Sequence, residues 1–132
     1  MNPSDYFEKA KGLGVLATAD AAGKVDVAIY GRPHVIDEET IAFIMADHQS
    51  YKNVTANPRA TYLFVKEGKG YVGKRLYLTK VREETDAAKI KALRRRKTPP
   101  ACDPTGEESR LVFFRIEKTR PLIGDGDGDA TT

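Results

Sequence analysis

Residues 48–64 read HQSYKNVTANPRATYLF, a polar turn set between two apolar, strand-like runs, TIAFIMA at 40–46 and RATYLFVK at 59–66. The turn has the makings of a short helix. Ser50 is placed to cap it, with Tyr51 as its first helical residue and the backbone amides of Lys52 and Asn53 free in the first turn. Pro58 sets its end, because the residue before a proline avoids the helical region. Free amides at the positive end of a helix form a ready anion site, and Lys52 adds a full charge. A capped helix with a solvated lysine fits the same residues.

Working towards the N-terminus, VDVAIYGR at 25–32 alternates. Val25, Val27 and Ile29 face one way, the expected core side; Asp26, Ala28, Tyr30 and Arg32 face the other. That second face is too mixed for a core and too apolar in its middle for open water, so it suggests contact with a ligand or another subunit. Arg32 could supply a second cation for a phosphate. A salt-bridged edge face is the alternative. Before this strand, LGVLATA at 13–19 is a short apolar strand and DAAGK a turn. At the start, NPSDYFEKAKG reads as a helix capped by Asn2, with Pro3 at its first position and Tyr6, Phe7 and Ala10 on one face. HVIDEET resumes a strand after Pro33 and turns near Asp37.

Towards the C-terminus, YVGKRLYLTKV at 71–81 alternates again, and REETDAAKIKALRRRK is a helix with Thr85 as its cap and Ile90 and Leu93 on its buried side. RLVFFRIEKTRPLIG at 110–124 begins as a last strand, and residues 125–132 have nothing to bury and are expected to be disordered. The order of roughly six or seven short strands joined by tight turns favours antiparallel pairing in a small barrel, an α+β chain dominated by β.

Bulk properties exclude several function classes. A chain of 132 residues suits one domain, and a net charge of +3 is too mild to imply nucleic acid. The basic run KIKALRRRK reads as the solvated side of a packed helix. No apolar run spans a bilayer and the N-terminus lacks an apolar signal region, which points to the cytoplasm. The single cysteine, Cys102, lies in a loop-like stretch and reads as incidental. His34 and His48 lack partners at metal-ligand spacing, and DGDGD at 125–129 lacks the glycine and glutamate of a calcium loop. GKGYVG at 68–73 opens a strand rather than a helix, so the dinucleotide mechanism fails.

Taken in order, LATAD with a D-x-x-G turn, a strand ending in RPHVID, TIAFIMA, the Lys/Asn turn and NPRATYLF resemble the pyridoxamine 5'-phosphate oxidase-like, FMN-binding split-barrel proteins. The resemblance covers residues 13–65 well, and GYVGKRLYLTKV and LVFFRIEKTRPLIGD more loosely. It implies a six-stranded antiparallel Greek-key split barrel over residues 1–124 with a few flanking helices, forming a homodimer with FMN at the subunit interface. It also implies that Arg32, Ser50, Lys52 and Asn53 hold the phosphate. Asp26, Val27, Ala28, Ile29 and Tyr30 would border the flavin ring, with Met45 and Ala46 between ring and phosphate.

An FMN-dependent oxidoreductase or electron carrier is the implied activity, its chemistry being the flavin's own. Conversion of pyridoxamine phosphate is not expected, because the chain has no tryptophan and lacks an arginine-rich C-terminal substrate motif. Two other cofactors suit the same barrel: a deazaflavin, and haem with His34 or His48 as the imidazole candidates.

Overall fold

A computed structural model describes residues 2–97 and 109–126; Cys102 and most of the DGDGD tail lie outside the described residues. The chain runs α1 (Pro3–Lys9), β1 (Gly12–Ala19), β2 (Val25–Ile29), β3 (His34–Val35), β4 (Thr40–Ala46), α2 (Gln49–Ala56), β5 (Arg59–Lys66), β6 (Gly73–Glu84), α3 (Ala87–Lys97) and β7 (Ser109–Pro121). The strands form one 7-stranded sheet in the order β2-β1-β5-β6-β7-β4-β3, every ladder antiparallel. The sheet therefore has seven strands, not six, and it is not a closed barrel, because no ladder joins β2 to β3. The extra strand is the two-residue β3, which Pro33 separates from β2.

The sheet nevertheless must curl. Its two edge strands, β2 and β3, are consecutive in the chain, and the five Cα steps from Ile29 to His34 span at most roughly 17 Å. The two edges thus face each other across a split that residues 30–33 bridge. Three residues shape that bridge. The Tyr62 hydroxyl donates to the carbonyls of Tyr30 at 3.2 Å and Gly31 at 2.9 Å. Gly14 permits this approach, since a Cβ there would stand 1.9 Å from the Tyr62 hydroxyl and 2.4 Å from the Tyr30 carbonyl. Arg32 is the third, described below.

Alternation in β1, β5 and β6 sends Leu16, Tyr62, Phe64, Leu76 and Leu78 inward, where they meet Phe43, Val112 and Phe114 from the opposite wall. The α1 helix packs against the curled sheet near Phe64. Asn2 caps it by accepting from the amides of Ser4 and Asp5, and Phe7 is wholly buried, its ring 5.5 Å from that of Phe64 in an edge-on contact. The capping residue and buried face are those the sequence predicts.

The α3 helix packs on the outside of the β4–β7 wall, with Ile90 and Leu93 against Ala42, Leu111 and Phe113. Its inward residues are as expected, but its cap is not Thr85. The β6 strand continues to Glu84, and Asp86 accepts from the Lys89 amide at 3.1 Å, so the helix starts later than the sequence suggests.

The inward and outward faces of β2 are reversed from expectation. Val25, Val27 and Ile29 are 77%, 65% and 72% exposed, whereas Asp26, Ala28 and Tyr30 are half-buried and face the interior. Alternation separates two faces without stating which is inside. An edge strand that is apolar outward has a surface to cover, and its neighbours extend that surface. Val15 stands between Ile29 and Leu63, and Ala17 between Val27 and Thr61, making one outward apolar face across β2, β1 and β5.

Candidate functional site

The turn after β4 is the helix α2, and its start differs from the expected one. His48, not Ser50, is the N-cap residue, and no side chain caps the helix. The first amide bonded within the helix is that of Lys52, to the His48 carbonyl at 3.1 Å. The free amides therefore belong to Gln49, Ser50 and Tyr51 rather than to Lys52 and Asn53. An uncapped first turn with no acidic residue keeps its positive end available to an anion. The end of α2 is as expected: Asn57 is extended ahead of Pro58.

Each predicted phosphate residue takes a definite place. Lys52 is exposed on the first turn of α2. Ser50 is buried, and its side chain lies beside the Tyr30 phenol, which brings the helix start close to the end of β2. Asn53 is also buried. Its Nδ2 donates to Thr18 Oγ1 at 3.0 Å and its Oδ1 accepts from Gln49 Nε2 at 2.7 Å, so its side chain fastens α2 to β1. Arg32 turns to α1 instead: its Nη1 donates to the carbonyls of Phe7 at 2.8 Å, Glu8 at 3.2 Å and Ala10 at 2.9 Å. Those carbonyls are the unsatisfied end of a helix, which a guanidinium suits in charge and geometry.

The predicted ring residues divide similarly. Met45 and Ala46 end β4 with buried side chains, Met45 within the core. Tyr30 packs edge-on against Phe43 with centroids 5.6 Å apart. Burial pushes the Tyr30 phenol up, the Ser50 side chain beside it partly offsets this, and Asp26 adds to the rise, so the phenol is protonated at neutral pH. Val27 and Ile29 are open on the outward face, and β2, as an edge strand, has one backbone side free of any ladder. Among the described residues no group of three metal-ligating side chains comes together.

A cluster that the sequence does not announce lies beside α2. The Tyr51 hydroxyl donates to Glu83 Oε2 at 2.7 Å, Lys80 Nζ contacts Glu83 Oε1 at 2.6 Å, and Arg110 Nε stands 3.6 Å from Glu83 Oε2. The Arg110 guanidinium also lies over the Tyr51 ring, 4.5 Å from its centroid. Two cations, Lys80 and Arg110, and one carboxylate stand around Tyr51. A register shift in β6 between Lys80 and Arg82 is what aligns this set. Strict alternation would put Lys80 and Glu83 on opposite faces, whereas the bulge brings them together.

Burial alone would raise the Glu83 pKa, but hydrogen bonds from Lys80 and Tyr51 and the charges of Lys80 and Arg110 outweigh it, leaving the carboxyl below its ordinary range. A lowered folded pKa gives stability that is present above the unfolded value and lost as pH falls through the folded one. Acid unfolding of the wild type is therefore expected to include a component below the ordinary glutamate range, which Glu83→Gln removes. Urea midpoints measured from neutral to acid pH check this, with a cost at neutral pH of about 1–3 kcal/mol for the variant.

The described helices include none long and apolar enough to cross a membrane. No family model and no curated protein matches the chain. Solved structures do match it in shape. An FMN-binding protein from Syntrophomonas wolfei subsp. wolfei is 16% identical, with a TM-score of 0.73 over 95% of this chain and 86% of that one. An F420 reductase is 18% identical, with a TM-score of 0.70 over 88% of this chain and 94% of that one. A structure from Lactobacillus delbrueckii, provisionally assigned as a pyridoxamine 5'-phosphate oxidase, is 19% identical, with a TM-score of 0.62 over 83% of this chain and 84% of that one. At these identities the likeness is one of fold: the chain has the pyridoxamine 5'-phosphate oxidase-like split-barrel fold, which the resemblance in residues 13–65 implies.

Proposed function

We propose that the protein binds FMN at the uncapped start of α2 and serves as a flavin-dependent oxidoreductase or electron carrier. The observation that carries this reading is the anion seat: the free amides of Gln49, Ser50 and Tyr51 in a first turn with no acidic residue, beside the exposed Lys52. The donor set suits a phosphate monoester. Lys52 supplies the charge and the three amides the directional bonds, while Tyr30 and Asn53 fix the turn on the barrel through Ser50 and Thr18. Arg32 would act indirectly, by fastening α1 and the bridge across the split. The open edge of β2 would offer main-chain donors to a flavin ring lying along Asp26–Tyr30. When bound, the flavin supplies hydride or electron transfer, and the protein supplies position and electrostatics.

The cofactor site is best completed by a second copy of the chain. The outward face of Val25, Val27, Ile29, Val15 and Leu63 is too apolar to favour water, and it lies on the strand that would border the ring. A homodimer through this face would shelter the ring and bury the exposed valines together. A deazaflavin with the same phosphate anchor suits the site equally; haem suits it less, because His34 is buried and His48 is the N-cap of the helix whose start is assigned to the phosphate.

Lys52→Glu is expected to weaken FMN binding at least about tenfold by reversing charge at the phosphate, while leaving the urea midpoint unchanged because Lys52 is exposed. Flavin fluorescence titration of wild type and variant decides it. Equal affinities would mean that the phosphate lies elsewhere.

A further inference from the structure

Charge is spread unevenly along the chain. The 11 residues of α3, AAKIKALRRRK, carry Lys89, Lys91, Arg94, Arg95, Arg96 and Lys97 and no carboxylate. Of the 22 lysines and arginines, 16 then remain against 19 aspartates and glutamates, so the rest of the chain is net −3 while α3 alone is +6. The overall +3, too mild by itself to imply nucleic acid, is the balance of two regions of opposite sign.

Packing keeps the basic region on the outside. The α3 helix rests on the outer side of the β4–β7 wall through Ile90 and Leu93, and Lys89 and Lys91 are exposed. Its negative C-terminal end favours cations, so the run from Arg94 to Lys97 costs the helix little. The acidic residues just before the helix are already engaged. Glu84 accepts from Lys89 Nζ at 2.9 Å and Arg82 Nη1 at 2.6 Å, and these bonds hold its carboxyl below the ordinary range. Asp86 accepts from the Lys89 amide. Arg82 adds a further cation beside the helix, its guanidinium 3.7 Å from the centroid of the Phe113 ring on which α3 packs. The region is also clear of the face assigned to the second copy: that face belongs to β2, β1 and β5, whereas α3 lies over β7 and β4, beyond β6 in the sheet.

We infer that α3 is a docking surface for nucleic-acid phosphates, bound without regard to base sequence. A helix of 11 residues is about 16 Å long, and a duplex presents one phosphate charge per about 1.7 Å of its axis, so the six cations can run beside a phosphate array of matching length. A lipid surface fits less well. A helix that enters the membrane interface does so by an apolar face, and in α3 that face, Ile90 and Leu93, is spent on the sheet. The attraction is electrostatic, its strength set by the counterions that the phosphates release. It does not depend on the flavin.

Fluorescence anisotropy of a fluorescein-labelled DNA duplex of about 20 base pairs, titrated with the full chain over a series of salt concentrations, tests the assignment. The wild type is expected to bind with a slope of log K against log salt of about −4 to −5, the value for five or six phosphate contacts. Lys91→Glu is expected to weaken binding at about 50 mM salt at least fivefold, and Lys91 is exposed, so this variant should fold. Lys69→Glu makes the same change of charge at an exposed position beyond the opposite end of β6, and is expected to leave the affinity within about twofold. Replacing Arg94, Arg95 and Arg96 together by glutamine is expected to make the slope shallower by roughly two to three units. A wild type that leaves the duplex unbound at about 50 mM salt would overturn the inference, and so would binding to phosphatidylserine vesicles in place of the duplex. Equal losses from Lys91→Glu and Lys69→Glu would overturn it too, since they would trace the binding to net charge rather than to α3.

Discussion

Gly14→Val is expected to destabilise the protein by on the order of 3–5 kcal/mol, the largest effect of any single substitution considered for the barrel. A Cβ at residue 14 would fall 1.9 Å from the Tyr62 hydroxyl and 2.4 Å from the Tyr30 carbonyl. The first contact could be relieved by moving a side chain, but the second is backbone. Relief there would push back the bridge that joins the two edges of the sheet, and with it the Tyr30–Ser50 contact at the start of α2. Urea denaturation gives the loss directly. Combining Gly14→Val with Tyr62→Phe should recover only part of it, since the carbonyl contact persists. A loss under about 1 kcal/mol would mean that the bridge is pliable and that Gly14 is no constraint.

Val27→Asp is expected to convert a dimer into monomers, with dissociation at least about 100-fold easier, or roughly 2.7 kcal/mol. In a two-fold interface each substitution appears twice, so two carboxylates would be buried without partners on an apolar face. Because Val27 is 65% exposed in the single chain, the monomer itself should lose little stability. Sedimentation equilibrium separates the two outcomes. A wild type that is monomeric at micromolar concentration, or a variant that associates as well as the wild type, would contradict the covered-face arrangement.

The parts of the molecule legible in the sequence are those with local causes. Asn2, Pro3 and the Tyr6–Phe7–Ala10 face specify α1 within a few residues, and Asn57-Pro58 ends α2 wherever the rest of the chain lies. The alternation read in YVGKRLYLTKV is that of β6, where Leu76 and Leu78 are buried between less buried neighbours. The errors have long-range causes. Val25, Val27 and Ile29 were expected inside because apolar faces normally are, but β2 is an edge strand whose outward face continues an apolar surface across its neighbours. Ser50 has the chemistry of a cap, yet its hydroxyl meets Tyr30, twenty residues away in the chain.

The candidate site was legible as a turn and not as a set of contacts. A short helix after β4 that carries an exposed Lys52 and ends at Asn57-Pro58 follows from spacing, while the identity of the free amides shifted by the few residues by which helix starts are routinely misjudged. Arg32 looked like a phosphate ligand because a cation near a helix start has that chemistry; its actual partners, the carbonyls of α1, are set by how the sheet curls. The Tyr51–Glu83–Lys80–Arg110 cluster depends on a bulge in β6 and on the pairing of Met45 with Arg110, neither of which has a local signal.

The measurement that bears most directly on the central claim is a titration of the purified protein with FMN, followed by removal of free flavin and an absorption spectrum. The account predicts a retained flavin spectrum with saturation at one FMN per chain. A colourless protein that leaves FMN fluorescence unchanged would contradict it.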